Sequence, residues 1–206
     1  MRKKLLIIIM ILLLGVLAAG LILTPYTFYF QSKLINKIRN YTIETDIEVD
    51  SVKSHYQMKT DTVYQYLLYD MGEEDDNLEV YIEKAGDKKY AYIKVLKKWY
   101  KREVSDKDIA DFNRVYYDDY FELLDFDHYE LNISEKKYVL KSDCNLKFMY
   151  SDIVSASYKN YLYKIVFNIT VRINDDETRD LTITFKDFFK TKIELPTEYE
   201  EIDLDK

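Results

Sequence analysis

The sequence predicts a β-rich α+β domain: one antiparallel sheet with one or two helices, lying outside a membrane behind an N-terminal transmembrane helix. Three observations carry this expectation. Leu5 to Leu23 is an unbroken run of 19 apolar or small residues behind Arg2, Lys3 and Lys4. From Tyr41 onward, apolar residues recur at every second position in several runs, the period of a half-buried strand. The main three- and four-residue spacing of a helix is confined to residues 105–124,.

The N-terminal run approaches the ~20 residues that cross a bilayer as a helix. A cleaved signal has an apolar region of roughly 7–15 residues ending at small residues. Here Ala18, Ala19 and Gly20 are followed by Leu21, Ile22 and Leu23, and then by the aromatic cluster Tyr26, Phe28, Tyr29 and Phe30. Rings of that kind suit a headgroup boundary, and the three leading cations hold the N-terminus in the cytoplasm. Residues 1–30 therefore read as an uncleaved signal-anchor with its interface, giving a single-pass protein of the cell membrane with its domain outside. Secretion after cleavage near Gly20 is the alternative. "LAAGL" has the front of a bacterial lipobox with Leu21 where the lipidated cysteine would stand, so any tether is the helix itself.

Residues 31–40 form a short amphipathic connector bearing Leu34, Ile35 and Ile38, and residues 41–206 form one domain. Its first strand puts Tyr41, Ile43, Ile47 and Val49 on one face and Glu44, Asp46 and Glu48 on the other. A longer alternation follows at Tyr56, Met58, Thr60, Thr62, Tyr64, Tyr66 and Leu68. "GEEDDN" breaks it before Leu78, Val80 and Ile82, and "AGDKK" turns the chain into Tyr90–Val95, which ends at "KKWYK". Ser105 with Asp108 resembles a capping box, followed by Ile109, Phe112, Tyr116, Tyr120 and Leu123 at helical steps,. Residues 145–157 fit both periods; Leu146, Met149, Tyr150 and Ile153 favour a helix. Tyr161, Tyr163, Ile165, Phe167, Ile169, Val171 and Ile173 then alternate, before Leu181, Ile183 and Phe185. Short polar turns between such runs imply antiparallel hairpins with one face buried.

Composition removes several functions. The net charge is −7, and the three leading cations leave 27 basic against 37 acidic side chains beyond them, a balance that repels nucleic acid. One cysteine, Cys144, excludes an intramolecular disulfide and a thiolate cluster,. With four glycines, two of them in the apolar run, there is no phosphate-cradling loop,. The acidic groups at 73–76, 175–177 and 198–201 lack calcium-loop spacing,. "DHYE" at 127–130 has no nucleophile motif beside it,. The chain reads as no enzyme, with no catalytic residues, metal or cofactor.

A sheet this large must cover its apolar face by closing into a barrel, packing on a second sheet or curling around helices. Two helices do not obviously fill it. An incompletely filled face rich in Tyr and Met suits a flexible apolar guest; ordinary sheet packing is the plainer reading of the same residues. "KKWYKREVSDKDIADF" before a helix and the closing "LTITFKDFFKTKIELPTEY" resemble the LolA/LppX-type lipoprotein superfamily over most of residues 41–200. That resemblance implies a curved antiparallel half-barrel capped by helices, with lipids or lipoproteins carried in the hollow. The lipobox cysteine is missing and the anchor departs from a soluble shuttle.

The resulting expectation is an envelope domain that binds a membrane lipid or other hydrophobic ligand. Tyr56, Met58, Tyr64, Tyr66, Ile165, Phe167 and Ile169 are its candidate wall, chosen from one face of each of the two longest alternations. The alternative is a structural or protein-interaction ectodomain with a filled core and an envelope protein partner.

Overall fold

The computed structural model describes residues 9–16, 40–49, 52–61, 63–70, 77–161 and 163–202. Of the predicted anchor, only residues 9–16 fall within this set, and they are helical with exposed side chains. The remainder of the anchor and most of the connector lie outside the described residues. Among the described residues no helix is long and apolar enough to cross a membrane.

The domain is β-rich, as the alternation predicts: one large open sheet and few helices. In chain order the strands are β1 (Tyr41–Val49), β2 (Val52–Thr60), β3 (Tyr64–Asp70), β4 (Leu78–Ala85), β5 (Lys88–Val95) and β6 (Lys98–Glu103). After helices α1 (Asp106–Tyr116) and α2 (Asp118–Leu123) come β7 (Tyr129–Asn132), β8 (Lys137–Leu140), β9 (Lys147–Phe148), β10 (Ser151–Asn160), β11 (Lys164–Arg172), β12 (Thr178–Lys186) and β13 (Glu200–Glu201). The spatial order is β13-β6-β5-β4-β3-β2-β1-β12-β11-β10-β8-β7, with β9 paired to β10 off that path. Every pairing is antiparallel except β13 with β6. The two wings meet where β1 pairs with β12, setting Ile43 opposite Phe185, Thr45 opposite Ile183 and Ile47 opposite Leu181.

This order dictates where the helices lie. β6 ends beside the short β13 at one margin, and β7 begins at the other, so the chain between them crosses the whole sheet. It crosses the apolar face. α1 buries Ile109 against Val80, Ile82 and Ala91 of one wing, and α2 buries Tyr120 and Leu123 in the main core with Phe167 and Phe185. The hydroxyl of Tyr117, between the helices, donates to the carbonyls of Lys59 and Tyr66 (both 3.2 Å). Tyr120 and Thr45 share a buried hydroxyl pair at 2.9 Å. These two tyrosines fasten the crossing segment to β1, β2 and β3.

The expected capping box is present. The Asp108 amide donates to Ser105 Oγ (3.2 Å), and the Ser105 amide donates to Asp108 Oδ2 (2.8 Å). Ser105→Ala is expected to cost ~1 kcal/mol in urea unfolding, the usual loss for an exposed cap; an unchanged midpoint would count against the cap. The single helix expected over 105–124 is divided at Tyr117, whose φ of −121° leaves the helical region.

The helix expected at 145–157 is a hairpin instead. Met149 and Tyr150 take left-handed φ angles of 48° and 68°, closing a two-residue turn between Phe148 and Ser151, which pair. A bulge between Ile153 and Ser155 shifts the register of β10. The buried residues of β10 consequently begin Ile153, Ala156, a three-residue step that imitates a helical one. Leu96 and Lys97 (φ 49° and 69°) make a second such turn, from which "KWYKRE" returns as β6 rather than ending β5.

The opposite face of the β13 wing is covered by the chain beyond β12. Asn40 binds Thr191 in both directions (3.0 and 3.3 Å), and Thr42 meets the Thr191 hydroxyl at 3.1 Å. Tyr199 then packs edge-on to Tyr92 at 5.3 Å, with the Lys101 ammonium over Tyr90 and Tyr199,.

Candidate functional site

Cross-strand partners share a face, and this decides where the seven expected wall residues stand. Thr60 pairs with Gln65, Met58 with Leu67 and Tyr56 with Tyr69. Even-numbered residues before this turn thus share the helix-covered face with odd-numbered residues after it. Tyr56 and Met58 lie on that face, and Tyr64 and Tyr66 are turned to the other. This corrects their grouping as one wall.

Tyr66 is buried on the tail-covered face. Its hydroxyl donates to Glu79 (3.1 Å), its ring packs on Tyr81, and Lys59 sits over it. Glu79 also accepts from Lys94 (2.9 Å). Burial, then the Glu79 charge, pushes the Tyr66 phenol well above its ordinary value, and the same causes push Tyr81 up to about 12. Tyr64 faces the same side, opposite Glu83.

Ile165, Phe167 and Ile169 do share the helix-covered face with Met58, in a packed core. Phe167 is fully buried, with ring neighbours Tyr158 at 5.1 Å, Phe185 at 5.8 Å and Tyr129 at 6.0 Å. Tyr56 stacks on Tyr69 at 4.1 Å at the margin of this core. This half of the face is filled by α2, β7, β8 and the β9–β10 turn.

The space lies in the other wing. Between α1 and the same face of β3 to β6 is a hollow of about 230 Å³, walled by Leu67, Val80, Ile82, Ala91, Ile109 and Phe112 among others. None of the seven expected residues lines it. Its origin is local. Ala91 stands between Ile82 and Arg102 across the strands, and its methyl is the smallest side chain of this wall. α1 crosses above on Ile109 and Phe112. Every part was visible in the sequence as a separate face: Leu78, Val80 and Ile82 as a strand, Ile109, Phe112 and Tyr116 as a helix. What was missing was the topology that lays one over the other, and the small residue at position 91.

A larger cleft of about 710 Å³ opens where β10 runs past the ends of β8 and β9. It is lined by Lys137, Lys141, Lys147, Arg172 and several hydroxyls as well as apolar groups, a mixed and strongly polar surface. The α1 hollow is the more apolar of the two, its walls mostly aliphatic and aromatic side chains that can supply dispersion contacts,. Its polar lining is Arg102, Asp108 and Asp111. The two histidines stand elsewhere, His55 beside Asp46 (2.7 Å) and His128 beside Asp125 (3.8 Å).

No family model and no curated protein matches this chain.

Proposed function

We propose that the domain binds a hydrophobic or lipidic molecule at the cell envelope, held at the outer membrane surface by residues 1–30 as a retained anchor. The observation that carries this reading is the 230 Å³ apolar hollow between α1 and the face of β3 to β6. A helix laid over a sheet normally closes such a space to native density. The sheet is open rather than curled into the expected half-barrel, and on this reading the guest lies beneath α1 rather than beside Phe167. The second reading, an interaction ectodomain without ligand, draws support from the filled core around Phe167.

Native mass spectrometry of the full chain extracted from membranes separates them. The expected spectrum includes Leu5 to Gly20 and a non-covalent apolar adduct. Ala91→Phe is expected to remove the adduct while changing stability by less than ~1 kcal/mol, because the ring enters existing space; overpacking a tight core costs ~1–3 kcal/mol. A chain without adduct, destabilised by the full overpacking amount in the variant, favours the interaction ectodomain. A mature chain beginning at Leu21 in the soluble fraction overturns the anchor.

A further inference from the structure

We infer that the hollow beneath α1 is selective for a monoanionic carboxylate with a medium-length apolar tail, its head held by Arg102; this rests on the hollow being a ligand site. Arg102 lies on the helix-covered face of β6, directly across from Ala91, and lines the hollow. Its Nε is buried and has no hydrogen-bond partner. A buried guanidinium N–H without an acceptor is costly and needs an explanation.

The two carboxylates at the rim do not provide that acceptor. Asp108 Oδ2 takes the amide and the hydroxyl of Ser105, at 2.8 and 2.7 Å. Asp111 pairs with Arg114 at 3.1 Å. Arg102 feels the Asp108 charge, yet its Nε–H is left without an acceptor beside an apolar slot, and a guanidinium receives a carboxylate or phosphate through paired N–H donors.

Charge and volume narrow the choice. Asp108 and Asp111 flank the same space, so a second negative charge on the head meets repulsion from both. That disfavours a phosphate monoester relative to a carboxylate. At about 30 Å³ for each water-sized group, a hollow of about 230 Å³ holds roughly seven or eight such groups. That order of size suits a tail of medium length rather than a full lipid chain, and eight-carbon compounds are the corresponding probes.

Equilibrium dialysis of the full chain against labelled octanoate, octan-1-ol and octyl phosphate tests the assignment. Octanoate is expected to bind at least ~10-fold more tightly than octanol, the scale of a charge-assisted hydrogen bond, and more tightly than octyl phosphate. Arg102→Gln should abolish the preference, and its remaining octanol binding reports whether the hollow survives. Where the glutamine variant loses octanol as well, Arg102→Lys decides, since it keeps the charge without the fork. It should bind octanol normally and show the octanoate preference reduced several-fold. Equal affinities for octanoate and octanol, tighter octyl phosphate, or an unchanged preference in the variants overturns the role of Arg102 and leaves the apolar site standing. Failure of all three probes to bind the wild-type chain overturns the apolar site itself.

Discussion

Phe167→Ala is expected to lower the unfolding free energy by ~3–5 kcal/mol, the penalty for emptying a large aromatic from a packed core. Phe167 is completely buried, and its ring touches aromatic neighbours from three other elements: Tyr129 of β7, Tyr158 of β10 and Phe185 of β12. Tyr129 and Tyr158 are themselves edge-on at 5.1 Å, and Tyr158 stacks on Tyr138 at 4.5 Å. Ladder partners on both sides hold the backbone of β11 in place, so the surrounding structure cannot collapse far into the void. Urea unfolding followed by circular dichroism measures the loss. A cost below ~1.5 kcal/mol would mean that the ring faces replaceable contents, and the wall first expected around Ile165, Phe167 and Ile169 would regain its claim. The same variant should leave octanol binding under α1 unchanged, since Phe167 does not line that hollow.

How much of this was legible depends on the range of the cause. Alternation is local, and it predicts burial where a strand runs straight. Ile43 and Ile47 are buried, as are Ile165, Phe167, Ile169 and Val171, and Leu181, Ile183 and Phe185. The Ser105–Asp108 box, also local, was readable for the same reason. Alternation misled where a tight turn was hidden inside it. Counting even positions from Tyr56 to Leu68 treats two strands as one. The hairpin is closed by the Asp61 amide on the Tyr64 carbonyl, with the amides of Val63 and Tyr64 donating to Asp61 Oδ1 (both 2.7 Å), and it reverses the parity. No Asn-Gly pair marks it. The Leu96–Lys97 and Met149–Tyr150 turns escape for a related reason. Each asks two ordinary side chains to adopt positive φ, an uncommon conformation that no residue in either pair advertises. Tyr161 and Tyr163 continue the β11 alternation in sequence, yet both are exposed ahead of Lys164. The meeting of β1 with β12 is a different kind of miss. It joins residues some 140 positions apart, and no local period encodes it. The hollow is built within residues 67–116, and it still escapes a reading strand by strand, because a period gives each face separately and not which helix is laid over which strands.

Alkaline pH is expected to unfold the domain cooperatively, through its buried tyrosines. Tyr117 and Tyr120 are buried beneath the crossing helices, and removal from water is the leading cause that raises both phenols above their ordinary value. The Thr45 hydroxyl bond pulls Tyr120 the other way without offsetting it. Tyr129 and Tyr158 are raised by the same cause in the other half of the core. A phenol ionises near pH 10 in an unfolded chain. Above that pH the unfolded state holds fewer protons than the folded one, so stability that is whole below pH 10 falls as pH rises toward the folded values. Each fully buried phenol contributes a slope of ~1.4 kcal/mol per pH unit, so Tyr117 and Tyr120 alone contribute roughly 3 kcal/mol per unit. Against a domain stability of ~5–15 kcal/mol, these two alone would unfold a domain at the lower end of that range within about two units above pH 10, and the other buried tyrosines steepen the fall. Phenolate absorbance and far-ultraviolet circular dichroism should change together in one steep transition. Tyr120→Phe should shift that transition upward, because it deletes one ionising group, even though it also breaks the 2.9 Å bond to Thr45 and lowers stability at neutral pH by ~1 kcal/mol. Gradual ionisation of all the tyrosines around pH 10 with the dichroism unchanged would show that water reaches these phenols in the folded state, and the crossing helices would then be loosely seated on the sheet.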